Sequence, residues 1–144
     1  MAMNWYQELE SPSTVSFDFD CTLTMPIWSW EDQLWRGGME PNWDSIQRMT
    51  KYHEAGHRIV VVTSRNEEAE STHDQESGRI SVADFIAKHK LPVDQIYFTS
   101  GDHKGPQLAE IGAAIHHDDF QPDIDSAEEH GIQAVKIPHP DDKE

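Results

Sequence analysis

Asp18 and Asp20 stand two residues apart at the end of a short apolar run, Val15 to Phe19, and are followed by Cys21-Thr22-Leu23-Thr24. If the run is a β-strand, its side chains alternate faces, so both carboxylates point the same way from its C-terminal end. The chain must then break near Thr22 for both to reach one metal ion or one substrate. Two carboxylates so placed can divide a reaction, one attacking and the other moving protons. Metal-assisted phosphoryl transfer needs that division. An Asp-x-Asp pair alone is usually a solvated turn. The strand before this one and the residues downstream set it apart.

Downstream, Ile59-Val60-Val61-Val62-Thr63-Ser64-Arg65 is a β-branched run that reads as a buried parallel strand ending in two hydroxyls and an arginine. Ile96-Tyr97-Phe98-Thr99 reads as another strand, followed by Lys104 in the glycine-containing loop Gly101 to Gly105. Ala113-Ala114-Ile115-His116-His117-Asp118-Asp119 is a further apolar run ending in two acids. The candidate functional residues thus fall just after the expected strands, in the order Asp-x-Asp, Thr/Ser, Lys, Asp-Asp.

In that order and spacing the chain resembles the haloacid dehalogenase superfamily of phosphohydrolases, whose four motifs match from Asp18 to Asp119 and cover most of the chain. Cys21 departs from the family, which most often has glycine there. More narrowly, the chain resembles the phosphatase domain of phage polynucleotide kinase/phosphatases. The carriers are Phe17-Asp18-Phe19-Asp20, Ile59 to Arg65 with its arginine directly after the second motif, and Asp118-Asp119; the lysine region matches less well.

The resemblance implies Asp18 as nucleophile and Asp20 as general acid/base. Thr63 would hydrogen-bond the transferring phosphoryl group, with Ser64 as substitute, and Lys104 would balance charge, with Lys88 or Lys90 as alternatives. It implies Mg²⁺ held by side-chain oxygens of Asp18 and Asp118 and the backbone carbonyl of Asp20, ligands that suit a hard cation. Asp119 is a supporting or alternative ligand and Asp123 a weaker candidate. Thr22 is expected to fix the loop. Arg65 offers a planar fork for phosphate; the competing reading is a surface ion pair with Glu67 or Glu68. In this family the stretch after the first motif is a flap, here about residues 24–40. Trp28, Trp30 or Trp35 could stack there on a base or sugar. Neither insertion point has room for a large cap.

The elements that would position these groups follow from periodicity. Pro41 to Ala55 reads as a helix with Trp43, Ile46, Met49 and Tyr52 along one side and Gly56 as its stop. Ser81 to Lys90 reads as a second, with Ser81 and Asp84 as a capping-box variant. A short helix carries Leu108 and Ile111, and the last covers about Asp123 to His130 before a strand at Gln133 to Ile137. Strands alternating with helices argue for a parallel α/β sheet with its ligands at the C-terminal edge. The resemblance implies a single Rossmann-like domain over 1–144, with strand order 5-4-1-2-3. His53-Glu54-Ala55-Gly56-His57 matches the zinc-protease pattern H-E-x-x-H, but Gly56 should end the helix before both histidines share a face. His116 and His117 are expected to end a strand, one facing the core.

Composition bounds the function. The net charge is −16, from 11 Lys+Arg against 27 Asp+Glu. Long nucleic acid is held by basic surface, so bulk DNA or RNA binding is not expected. A phosphorylated small molecule, a nucleotide or an oligonucleotide end remains, because a bound cation reverses the local field. The single cysteine fits a reducing cytoplasm. No apolar stretch approaches membrane-spanning length, and the polar N-terminus is unlike a signal peptide. The acidic end, about 139–144, is expected to be a flexible tail. The expected activity is Mg²⁺-dependent phosphomonoester hydrolysis on a nucleotide or nucleic-acid 3′-phosphate end. The alternatives are a general small-metabolite or sugar phosphatase, a phosphotransferase, and a non-catalytic acidic binding module. The presence of Asp18, Asp20, Thr63, Lys104 and Asp118 argues against the last.

Overall fold

A computed structural model of the chain describes residues 9–10, 12–72 and 80–142. Five parallel strands form the central sheet: β1 (Thr14–Phe17), β4 (Arg58–Thr63), β5 (Gln95–Phe98), β6 (Ala113–Asp118) and β7 (Gln133–Lys136), in the order β5-β4-β1-β6-β7. A separate antiparallel hairpin, β2 (Thr24–Ser29) and β3 (Leu34–Pro41), follows β1 in the chain. Helices α1 (Trp43–Glu54), α2 (Val82–His89), α3 (Gly105–Ile111) and α4 (Gln121–Glu129) connect the strands, with a short 3₁₀ helix at Glu67–Thr72. The expected α/β class and five-stranded parallel sheet hold. The order differs from 5-4-1-2-3 in that β2 and β3 intervene in the chain and stand outside the sheet. The neighbours of β1 are nevertheless the strands that carry Thr63 and Asp118.

The β-branched run of β4 is explained by burial on both faces. Ile59 and Val61 pack into one cluster with Val15, Phe17, Met49, Tyr52 and Phe85, while Val60 and Val62 face Leu108, Ala127 and Ile132 on the other side. Alternation along a strand thus serves two cores rather than one core and solvent. α1 buries Ile46, Met49 and Tyr52 as its spacing predicts, but Trp43, at the start of the same stripe, is 62% exposed. In α2 the Ser81 hydroxyl accepts from Asp84 N–H at 3.1 Å, capping the first turn as expected. The H-E-x-x-H histidines are split as expected: α1 ends at Glu54, and buried His57 accepts from Ser13 N–H. No helix among the described residues is long and apolar enough to cross a membrane.

Both His116 and His117 are buried, on opposite faces of β6. His117 stacks on Phe17 with centroids 4.2 Å apart and donates from Nδ1 to the Ser16 carbonyl. Burial pushes its imidazole down to about 3. Burial lowers His116 as well. The unfolded chain takes up protons on these rings below about pH 6.5, while the folded chain resists. The contribution of His117 is therefore complete above that pH and lost as pH falls toward 3, and that of His116 runs in the same direction. Urea midpoints should fall from neutral pH to about 4.5, each ring contributing up to about 1.4 kcal/mol per pH unit. His117→Gln should flatten this slope; an unchanged slope would show that His117 is not the group that titrates.

Candidate active site

Register brings the two acidic motifs together. Ser16 pairs with His116 and Phe17 with His117, and Asp18 N–H continues the pairing by donating to the His117 carbonyl at 2.8 Å. Two residues beyond Ser16 and His116, Asp18 and Asp118 therefore share one side of the sheet at its C-terminal edge. β1 ends at Phe17, earlier than expected, and the chain turns at once. Thr22, Leu23 and Thr24 N–H groups all donate to the Phe19 carbonyl, and Cys21 is held at φ +63°. That left-handed conformation is one glycine adopts freely and a residue with a Cβ adopts only at a cost.

Lys104 joins the two acids. It caps α3, its N–H donating to Asp123, and its ammonium is 2.6 Å from Asp18 Oδ1 and 2.8 Å from Asp118 Oδ2. The side chain is almost fully buried. Burial acts to lower the Lys104 pKa, but the charges of Asp18 and Asp118 outweigh it and raise it. For Asp118, burial acts upward, and Lys104 and His116 overcome it, holding the carboxyl below the usual range. Asp18 goes the other way: burial, then the charge of Asp118, push it well above the usual carboxylate range despite Lys104. Burial also raises Asp119.

The Thr22 hydroxyl lies 3.0 Å from Asp18 Oδ2 and 3.2 Å from Asp119 Oδ1, so its single proton serves one at a time. On the other side of Asp118, His116 Nε2 donates to Oδ2 at 2.8 Å, and its Nδ1 accepts from the Ser16 hydroxyl at 2.7 Å. The face parity of β6 could have signalled this support, because His116 lies two residues before Asp118.

Asp18, Asp118 and Asp119 each offer a carboxylate oxygen, all within 4.8 Å of one another. This all-oxygen set fits a hard divalent cation such as Mg²⁺. Burial, then the charge of Asp118, oppose ionisation of Asp18, and a cation there would offset both.

Asp18, Asp20, Ser64, Lys104, Asp118 and Asp119 all line one cleft of about 630 Å³. Other expected residues lie elsewhere. Thr63 is buried, its hydroxyl accepting from Arg65 N–H, and Ser64 takes the place on the cleft wall. Arg65 is not among the residues that line this cleft. Its fork is buried, with Nε and Nη2 each 2.8 Å from an oxygen of Asp20, Nη1 on Glu70 and the Ile80 carbonyl, and the guanidinium over Phe19. Burial works against the Arg65 charge, and Asp20 and Glu70 more than restore it.

Trp28 and Trp30 do not line the cleft. They sit edge to face on the hairpin, with Trp30 78% exposed, and Trp35, Trp28's cross-strand partner, lines the wall instead. Asp123 also lines the cleft, with its Oδ2 3.8 Å from Lys104 Nζ.

Three contributors were not anticipated. Gly37 of β3 lies against Asp20: a Cβ there would come within 2.8 Å of Asp20 Cβ and 2.9 Å of its Cα. Arg36, paired with Asp32, lines the cleft. The C-terminal turn also contributes. Asp142 accepts from Lys136 and from His139 N–H, and His139, Asp141 and Asp142 form part of the cleft wall. Residues 143–144 lie outside the described residues.

No protein-family model and no curated protein matches the chain. Among solved structures, a chain of the Pnkp1/Rnl/Hen1 RNA repair complex is similar with a TM-score of 0.65 and 13% identity, over 95% of this chain and 46% of that one. A hypothetical protein from Xanthomonas campestris is similar with a TM-score of 0.51 and 18% identity, over 90% of this chain and 66% of that one. At such identities the likeness is one of fold. This chain spans about half the length of the first relative.

Proposed function

We propose that the chain is a phosphomonoester hydrolase working through an aspartyl-phosphate at Asp18, on a nucleotide or a nucleic-acid 3′-phosphate end. The observation that carries this reading is the Lys104 ammonium between Asp18 and Asp118 at the C-terminal edge of β1 and β6. In this reading a nucleophile, a fixed positive charge and a hard-cation ligand set meet at one point.

Asp18 Oδ attacks phosphorus, the bond from phosphorus to the leaving oxygen breaks, and Asp20 protonates that oxygen. Water then attacks the phosphoryl group, with Asp20 taking the proton, and the phosphorus–oxygen bond to Asp18 breaks. Both Asp20 oxygens accept from Arg65, so Asp20 must loosen one of these bonds to exchange a proton. Lys104 offsets charge on the phosphoryl oxygens, and Ser64, on the cleft wall, would donate to them. Asp18, Asp118 and Asp119 would hold Mg²⁺, with the Asp20 carbonyl as a further oxygen. The ion would supply Lewis-acid neutralisation of the phosphate.

The nucleic-acid end is favoured by the narrower sequence resemblance, by an open cleft with Trp35 and Arg36 on its wall, and by the RNA-repair setting of the first structural relative. The test is phosphate release with Mg²⁺ or EDTA from a panel of an aryl phosphate, 3′- and 5′-nucleotides, 3′-phosphorylated oligonucleotides and sugar phosphates. Mg²⁺-dependent release best from 3′-phosphate ends is expected. Preference for sugar phosphates would make it a metabolite phosphatase. No release from folded, Mg²⁺-bound protein would leave a binding module.

Gly37→Ala should lower release roughly a hundredfold, because displacing Asp20 by about an ångström spoils proton transfer, and should also lower the melting temperature, because the backbone of Asp20 must give way to the added methyl. Unchanged turnover would remove the hairpin from the positioning of Asp20.

A further inference from the structure

We propose that Cys21, Asp119 and His139 form a second cation site in the cleft, built for a borderline transition-metal ion such as Zn²⁺. One ligand atom from each of the three lies within 4.8 Å of the other two. The donor set is thiolate, imidazole and carboxylate, which suits Zn²⁺ and its neighbours, whereas the all-oxygen group beside it suits Mg²⁺. Three protein ligands leave a coordination position for water or a ligand oxygen on the cleft side.

A second observation points the same way. Cys21 is only 6% exposed, lines the cleft, and no hydrogen bond engages its sulfur among the described residues. This buried thiol therefore lies within 4.8 Å of a carboxylate oxygen and an imidazole nitrogen with no hydrogen-bond partner among the described residues.

The third ligand comes from the C-terminal turn, where the Lys136–Asp142 pair and the bond from His139 N–H to Asp142 hold the imidazole against the cleft. Its Nε2 is 3.9 Å from Asp119 Oδ2. Burial, then the charges of Asp119, Asp20 and Asp18, push the Cys21 thiol up to about 12, so it is the bound ion that sends the sulfur's proton to solvent, while the His139 ring proton moves from Nε2 to Nδ1. That move gives up the bond Nδ1 accepts from Asp141 N–H, an exposed turn contact. Asp119 belongs to both groups, so an ion at Cys21–Asp119–His139 competes with the all-oxygen set for that carboxylate. The site stands on its own ligands, whether or not the cleft hydrolyses phosphate.

The experiment is a Co²⁺ titration of the reduced full chain without Mg²⁺, followed by absorbance. Cys21 is the only cysteine in the sequence, so a sulfur-to-cobalt charge-transfer band in the near ultraviolet reports on it alone. We expect the band to saturate at one equivalent, to bleach on adding Zn²⁺, and to be absent from Cys21→Ser. In His139→Ala, a change on the C-terminal turn that leaves the thiol in place, apparent affinity should fall roughly tenfold or more. Should Cys21→Ser fail to fold, that second variant decides. Absence of the band in wild type, or a band whose affinity His139→Ala leaves unchanged, overturns the proposal.

Discussion

Asp18→Asn is expected to lower Mg²⁺-dependent phosphate release by roughly four orders of magnitude or more, while the variant melts at or slightly above the wild-type temperature. The two halves have different causes. Asparagine keeps the shape of the side chain but is not a nucleophile, so no acyl phosphate can form. Its charge is also the least favourable in the cluster: burial and the neighbouring Asp118 and Asp119 all oppose ionisation of Asp18. Removing the charge relieves that opposition, and Lys104 keeps Asp118 as its partner at 2.8 Å. Phosphate release and a melting curve on the same preparation check both halves. Retained turnover would place the attacking group elsewhere; loss of turnover through unfolding would make Asp18 structural.

Lys104→Met should have the opposite profile and cost both stability and turnover. Methionine fills similar volume but leaves Asp18 and Asp118 close together, both buried, with no ammonium between them. Removing one partner of a buried ion pair typically destabilises by about 3–5 kcal/mol. Excess Mg²⁺ should restore part of the loss, because a cation bound only by the folded chain stabilises it by mass action. Urea midpoints with and without Mg²⁺ would show a larger Mg²⁺ effect in the variant than in wild type. A variant as stable as wild type in EDTA would mean that the two carboxylates do not depend on Lys104.

What the sequence revealed and what it hid have physical causes. The parallel sheet was legible because β4 is β-branched on both faces. The meeting of Asp18 with Asp118 was legible because both acids follow apolar runs that end at the same edge. Lys104 was placed by its position after β5. Side-chain direction beyond a strand end was not legible. Arg65 follows the motif hydroxyls, yet its fork turns back beneath Asp20, a choice made by Glu70 and the Ile80 carbonyl rather than by local spacing. The same holds for Thr63 and Ser64, where one residue decides which hydroxyl meets the cleft.

The hairpin falls in the stretch expected as a flap, about residues 24–40, where no strands are expected from the sequence. Its cross-strand pairing, Trp28 with Trp35 and Pro26 with Gly37, determines which tryptophan reaches the cleft wall and why a glycine must lie against Asp20. The acidic C-terminus looked solvated because charge alone says nothing of partners. Lys136, six residues before Asp142, ties it down and brings His139 to the cleft.

The most direct test of the central claim is to capture the covalent form. Asp20→Asn protein would be mixed with an aryl phosphate and Mg²⁺, quenched in acid and digested, and its peptides weighed. An aryl leaving group needs little protonation, so formation should persist while hydrolysis, which needs Asp20 as base, slows. The account predicts a single hydroxylamine-sensitive phosphoryl group on the peptide carrying Asp18, absent when Asp18 is also replaced by asparagine. Turnover by wild type with no phosphoryl group on Asp18 in any quenched sample, or a phosphoryl group on another residue, would contradict it.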